Sequence, residues 1–582
     1  MPRSTARSQR AWPAIFLALL ALLAIAPLIT HGCSCGHDFE FHLQSWLDAA
    51  AQMRHGTFDP SWTVSAAWNA GEPRFLFYPP LSWMLGALLT LLLPFPAVPI
   101  AFTAIALFGA AVSMYVLARA YAPQPIALLA AAVYIASPYM LFTAFERTAY
   151  GELLAAAWLP WLLLVALEPQ PRVLGLALPL ALLWLSNAPA AVIGVYLVLI
   201  IAMLRIAHAL FTKNVACSRQ LLARFAGGGA LGLALPAFYL LPAAYERRSI
   251  QVAMAIIPNM RIDDNLLFGH TGDGPHDRVL HTASLIAVIM LVATTIALLG
   301  AWFTGHGRSH SSVRAQPRIA PLLAALTACI ALCLTPLSLP LWHHLPELAF
   351  LQFPWRILSL LGAILALVIA IALRRIPSTK AATTIAAILA VLFVGGMSAR
   401  DISVFRQPCE ALDPPAARAQ LFTTHHGVEP TDEYTPTDAD NDVLRWDSPA
   451  YWLATDPTAF APDTVPNPAA TIVNYDTPPP IAQTVSGVAP HHLVLTLPHA
   501  DALVLNLRDY PNWQLFRNGA LLTQHLQRDD GLLAIELPAG RSVVDIRWHR
   551  SWDESTGDAI SIASLAVIAI ALRRSRTIEP DA

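Results

Sequence analysis

Long apolar runs broken by short polar stretches fill most of the chain up to residue 398. They fall near 11–30, 81–93, 98–118, 125–143, 153–168, 172–186, 189–211, 226–244, 281–303, 319–341, 355–373 and 381–398, and a thirteenth follows at 559–572. Runs of this length and composition predict transmembrane helices. From about 399 to 556 the pattern stops and proline, aspartate and threonine become frequent. Within that interval residues 492–497, 502–507, 513–517, 532–537 and 542–548 alternate or run apolar, the signature of strands. Asn518-Gly519 supplies a hairpin turn and Asp530-Gly531 a second reversal. The expectation is a polytopic α-helical membrane protein of about 12–13 transmembrane helices with a C-terminal extracytoplasmic β-sandwich-like domain. That domain serves either carbohydrate binding or packing, and no stacked aromatic row is evident in it.

Composition agrees: 56% of residues are hydrophobic and only 13% charged, so lipid must be the main solvent. A net charge of -2 gives no footprint for nucleic acid. The positive charges carry more information. Arg3, Arg7 and Arg10 precede an apolar run from Ala11 to Ile29 that lacks a small-x-small cleavage site, which predicts an uncleaved anchor. If all thirteen runs cross from an inside N-terminus, the basic stretches Lys213 to Arg224, Arg308 to Arg318 and Arg374 to Lys380 land outside, against the positive-inside rule. If the 81–93 run does not cross, all three become cytoplasmic, together with Arg172 and the tail Arg573-Arg574-Ser-Arg576. That run has about 13 residues, contains Gly86 and lies between Pro79-Pro80 and Pro94, which suits a re-entrant or half-spanning helix. Twelve crossings with both ends inside follow, against a competing thirteen. The domains are then 1–398, with a first outer loop at 31–80; an extracytoplasmic 399–556; and a final helix and cytoplasmic tail at 557–582. Of six cysteines, Cys33, Cys35 and Cys409 lie outside the apolar runs and are free to form an extracytoplasmic disulfide. Cys33-x-Cys35 lacks the spacing of a zinc site.

Chemistry is expected on the outer face. The first loop reads His37-Asp38-Phe39-Glu40-Phe41-His42, and Phe39, Leu43, Trp46, Leu47 and Ala50 share a helical face, predicting a helix lying on the bilayer surface. Asp38 and His42, four apart, suit divalent-metal binding, general-base work or a plain solvated face. Glu72, Arg74 and Tyr78 precede Pro79-Pro80; Arg74 is either a phosphate ligand or a snorkelling interfacial arginine. Arg147, Tyr150 and Glu152 sit at a helix boundary, where charge is costly unless paired or functional. Arg356 in Phe353-Pro354-Trp355-Arg356 either holds a lipid phosphate or snorkels. The polar loop 245–280 fits a substrate lid and matches no metal motif.

The acidic first loop, the Tyr78-Pro79-Pro80 entry and the terminal soluble domain together resemble the GT-C superfamily of membrane glycosyltransferases. Arg147-x-x-Tyr150-x-Glu152, Phe353-Pro354-Trp355-Arg356 and Glu433-Tyr434-x-Pro436 resemble bacterial membrane proteins called 6-pyruvoyl-tetrahydropterin-synthase-related. Tyr510-Pro-Asn-Trp513 to Gly540 resembles the terminal sandwich of YfhO-like proteins. The pterin name implies no activity here, because that soluble enzyme needs a zinc-binding histidine set in a compact fold. The GT-C resemblance implies a bacterial inner-membrane enzyme that moves a sugar from a polyprenyl-phosphate donor to a lipid, glycan or protein acceptor. On it, Asp38 is the base or metal-linked carboxylate, and Glu40 and His42 assist or ligate. Arg74, Arg147 and Arg356 neutralise the departing phosphate, with Glu72, Tyr78, Tyr150, Glu152, Glu433 and Tyr434 on the substrate side. The resemblance leaves metal dependence open. Rival readings are a lipid or glycan transporter and a non-catalytic membrane scaffold.

Overall fold

The computed structural model describes residues 3–305, 319–458 and 487–576, so the basic stretch Arg308 to Arg318 lies outside the described residues. Each of the thirteen apolar runs is helical over most of its length. Among the described residues six helices are long and apolar enough to cross a membrane: Phe95–Arg119, Ala188–Phe211, Gly274–Thr304, Pro354–Ala372, Lys380–Val404 and Trp552–Arg573. Three more runs are bent pairs: Gln124–Ile135 with Pro138–Glu146 (44°), Val215–Ala234 with Ala237–Ser249 (74°) and Ile319–Cys333 with Pro336–His344 (95°). A proline stands at each break, Pro138, Pro236 and Pro336, where its missing N–H and its ring interrupt the helical ladder. The Pro80–Leu92 helix has 13 residues, or about 20 Å at 1.5 Å per residue, short of the ~30 Å hydrocarbon core.

Burial sorts these helices. Pro354–Ala372 is central, with 78% of its apolar window inside the protein, whereas Lys380–Val404 and Trp552–Arg573 have only 22% and 17%. Apolar side chains such as Ile562, Leu565 and Val567 on the last of these face outward from the protein.

The C-terminal strands are β1 (Tyr451–Ala454), β2 (His492–Leu497), β3 (Asp501–Arg508), β4 (Trp513–Arg517), β5 (Ala520–Leu522), β6 (Leu532–Leu537) and β7 (Gly540–Trp548). They form two antiparallel sheets, β1-β3-β6 and β2-β7-β4-β5. All five expected strands are present, with β1 and β5 in addition. Asn518 and Gly519 both take positive φ, 51° and 82°, as the tight β4–β5 hairpin demands. One expectation needs correction: aromatic residues do gather here. Tyr510 and Trp548 stack at 6.1 Å, Trp513 meets Trp548 edge-on at 5.0 Å, and Trp62 of the first loop joins them. Spacing hid the cluster because its members come from β4, β7 and a loop far upstream. With Leu76 and Ile250 they make one apolar core shared between the sandwich and the first loop.

The first-loop helix Phe39–Arg54 also departs from expectation. It does not present one face to water, because every residue from Leu43 to Ala50 is buried. Its polar face is consumed by the turn at 63–65: Asp48 accepts hydrogen bonds from the Val64 and Ser65 backbone, and Gln44 donates to Ser65 Oγ at 2.6 Å.

A disulfide joins Cys35 to Cys409, tying the first loop to the segment after Lys380–Val404. After limited trypsin cleavage between residues 36 and 408, fragments carrying Cys35 and Cys409 stay joined in nonreducing electrophoresis and separate on adding dithiothreitol. Separation without reductant would show that the bridge is absent.

Candidate functional site

The site begins where the first loop meets a distorted helix. The last turn of the bent run, Phe142–Glu146, is π-helical and ends at Arg147, a distortion that occurs often at functional sites. Thr148, buried and not glycine, follows at φ 48°, a backbone state held only by its surroundings. Residues 34–38 are stitched onto this turn. Ser34 Oγ donates to the Phe145 carbonyl at 2.6 Å, and the Asp38 N–H donates to the Arg147 carbonyl at 3.0 Å. Gly36 lies so close that a Cβ would stand 2.2 Å from the Glu146 carbonyl oxygen. Loop and turn thus fix Asp38 beside Arg147.

Arg147 donates from Nη1 to Glu152 Oε2 at 2.6 Å, and the Tyr139 hydroxyl donates to Glu152 Oε1 at 2.6 Å. All three are buried. Arg356 approaches the same carboxylate, Nε to Oε2 at 3.8 Å, and its guanidinium lies 5.1 Å from the Phe353 ring centre. Among the described residues the Arg356 side chain donates no hydrogen bond to protein, and its Nε is buried without a partner. Half-buried Asp38 stands within electrostatic reach of Arg147, Arg356, His42 and Tyr78. Next to them opens a cavity of about 240 Å³ lined by His37, Arg147, His276, Phe353 and Trp355. Phe353 and Trp355 stack at 4.7 Å, and His276 is held by Asn265 Oδ1 at 2.8 Å.

His42 lies on the other side of Asp38, with ring centres 5.2 Å from Tyr150, 5.7 Å from Tyr78 and 6.0 Å from Trp46. Burial pushes its imidazole down to about 4; Asp38 opposes the shift and Arg74 adds to it. It is therefore neutral near neutral pH. Its Nε2 has no polar partner, and among the described residues no three His, Cys, Asp or Glu side chains converge as a metal site. The paired-ligand reading of Asp38 and His42 gains no third ligand. Tyr434 stacks on Phe77 at 6.0 Å and lies 6.5 Å from Phe41, which in turn meets Tyr78 at 4.9 Å.

Four expected site residues serve elsewhere. Arg74 is no open phosphate ligand: it is spent on Glu72 Oε1 (2.7 Å), Ser45 Oγ (3.0 Å) and Thr431 Oγ1 (3.0 Å), over the Phe41 ring at 4.4 Å. Glu72 also accepts the Thr431 N–H at 2.9 Å, so this buried pair clamps the first loop to the C-terminal region. Glu40 is ion-paired with Arg418, which also binds Asp413. Glu433 sits near the clamp, its carboxyl raised by burial. Asp38, His42, Tyr78, Arg147, Tyr150, Glu152 and Arg356 do converge. Tyr139, His37, His276, Phe353 and Trp355 join the site in addition to the expected residues. Phe353 and Trp355 flank Arg356 and His37 precedes Asp38, so adjacency was the available signal; Tyr139, inside an apolar run, offered none.

Compared with known proteins, the sequence matches no family model and no curated protein. The fold is similar to a solved structure of arabinofuranosyltransferase AftD from Mycobacteria, with 17% identity and a TM-score of 0.42 over 69% of this chain and 27% of that one. A mutant form of AftD gives 15% identity and a TM-score of 0.45 over 94% and 42%. The chain thus spans less than half the length of either, and nothing in the site's chemistry rests on the likeness.

Two outcomes follow. His42 has a depressed folded pKa, so the unfolded chain binds more protons between pH 6.5 and about 4 and stability falls as pH drops through that window. His42→Gln flattens the dependence of thermal midpoint on pH there; an unchanged slope would contradict a neutral buried His42. Arg74→Ala leaves Glu72 buried and unpaired, costing about 3–5 kcal/mol, read as a lowered midpoint and faster proteolysis of the C-terminal region.

Proposed function

We propose that the chain is a membrane glycosyltransferase that moves a sugar from a polyprenyl-phosphate donor to an acceptor hydroxyl on the extracytoplasmic face. The observation that carries this reading is Arg356: a half-buried guanidinium whose Nε is buried without a partner and which donates no hydrogen bond to protein among the described residues, beside an arginine locked by Glu152 and Tyr139. Such a cation has a use where an anion must be held out of water. A polyprenyl phosphate brings that anion into this depth while its tail stays in lipid.

The chemistry follows from position. As the bond between the sugar and the phosphate oxygen breaks, negative charge grows on the leaving phosphate, and donors already in place stabilise it without reorganising. Arg356 and Arg147 take that role. Phe353 and Trp355 give the sugar an apolar face in the adjoining cavity. Asp38, at the loop edge of the same group, accepts the proton of the acceptor hydroxyl as it attacks. Glu152 and Tyr139 hold Arg147 in one orientation, and neutral His42 packs behind the loop that carries Asp38. The charge distribution supports twelve crossings with both ends inside, which gathers the first loop, the sandwich and the site on the outer face.

The test is sugar transfer from labelled polyprenyl-phosphate sugars in membranes containing equal amounts of each variant. Asp38→Asn loses about 10²–10⁴-fold as a missing base does, and Arg356→Gln about 10²–10³-fold as a missing charge stabiliser does. Equal transfer by Asp38→Asn removes it from the mechanism. Absence of transfer from any donor, with lipid-linked glycan flux intact, replaces the reading with transport.

A further inference from the structure

A second, larger opening lies away from the charged site. It measures about 630 Å³ and lies between the segments 248–249 and 436–439 on one side and residues 509–532 of the sandwich on the other. Its size falls within the ~300–1,000 Å³ of small-molecule sites, but its chemistry differs from that of the first cavity. Asp438, Asp509, His525 and Gln527 line it, with Arg248 at one edge and Trp513 on the wall. His525 Nδ1 lies 3.0 Å from each Asp509 oxygen, and Arg248 lies over the Tyr245 ring at 3.8 Å. Arg528 on the lining is spent on Asp530, which leaves Asp438 and Asp509 against Arg248 and His525; no excess of positive charge draws a phosphate, and the polar walls repel an acyl chain. Planar carboxylate, amide and imidazole groups beside an aromatic wall match the dense donor and acceptor hydroxyls of a sugar.

One short stretch of chain runs from the larger cleft to the aromatic cluster around Tyr78. Residues 432–434 form a turn that places Tyr434 on Phe77 next to Phe41 and Tyr78, and Pro436–Ala439 lines the larger cleft. That stretch is fixed. Gln251 donates to the Pro436 and Ala439 carbonyls at 3.0 and 2.5 Å, its N–H to Thr435, and the Thr437 N–H donates to Ser249. A ligand in the cleft therefore lies only a few residues of rigid backbone from the aromatic cluster around Tyr78.

We infer that the cleft between residues 436–439 and the sandwich edge 509–527 binds an uncharged oligosaccharide, the acceptor chain whose end reaches Asp38. This rests on the transferase reading for its purpose but not for its binding. The test uses the full-length protein in lipid nanodiscs and fluorescent cellohexaose, maltohexaose and linear mannohexaose, with binding read by anisotropy. The wild-type chain binds at least one of them. Gln527→Ala and Asp438→Ala, both at exposed side chains, weaken that binding at least tenfold while the thermal midpoint stays unchanged. Asp38→Asn binds as wild type does. Binding of none of the three, or undiminished binding by both cleft variants, overturns the inference. Binding that persists in a protein with no transfer from any donor upholds the cleft and sinks the transferase reading alone.

Discussion

The structure turns on a buried cluster of charge: two arginines sharing one glutamate. Taking ions out of water costs several kcal/mol each, and a pair recovers that only with good geometry and further hydrogen bonds. Arg147, Glu152 and Tyr139 meet those terms among themselves, with bonds of 2.6 Å on both carboxylate oxygens. Arg356 does not, standing 3.8 Å from a carboxylate already engaged. The second cation is balanced at longer range by Asp38, which belongs to a different element and is brought in by the stitched loop. Such an arrangement is poor economy for stability alone and suits a site that must receive an anion.

Everything around the cluster holds Asp38 in place. The Cys35–Cys409 bridge fixes the loop's beginning, the Glu72–Arg74–Thr431 clamp fixes its end, and Trp62 enters the sandwich core between them. The first loop is thereby a layer between the helices and the sandwich. This explains why its helix buries residues on every side, and why Glu40 and Arg74 bind the protein itself.

The helices and strands were legible because apolar periodicity is local. Every apolar run is helical and every expected strand forms. The short 81–93 run was recognisable from its bounding prolines. The charged cluster was half legible: Arg147, Glu152 and Arg356 stand out because charge inside apolar sequence needs a reason. Which arginine is satisfied was only partly legible: Glu72 stands two residues from Arg74, but Ser45 and Thr431, the partners that complete its set, lie 29 and 357 residues away. The amphipathic pattern at 39–50 misled in the same way. A polar face reads as water-facing, but here Asp48 and Gln44 meet the buried turn at 63–65. The aromatic core of the sandwich, assembled from three distant segments, gave no linear signal at all.

The proposed transfer depends on Arg356 and Arg147 receiving the phosphate of a polyprenyl-linked donor. The most direct measurement is an electron cryomicroscopy structure of the protein in nanodiscs with a polyprenyl phosphate. The phosphate is expected within hydrogen-bonding distance of Arg356, beside the Phe353–Trp355 cavity, with the tail running outward between helices. A phosphate bound elsewhere, with the Arg356 guanidinium still unoccupied, would contradict it.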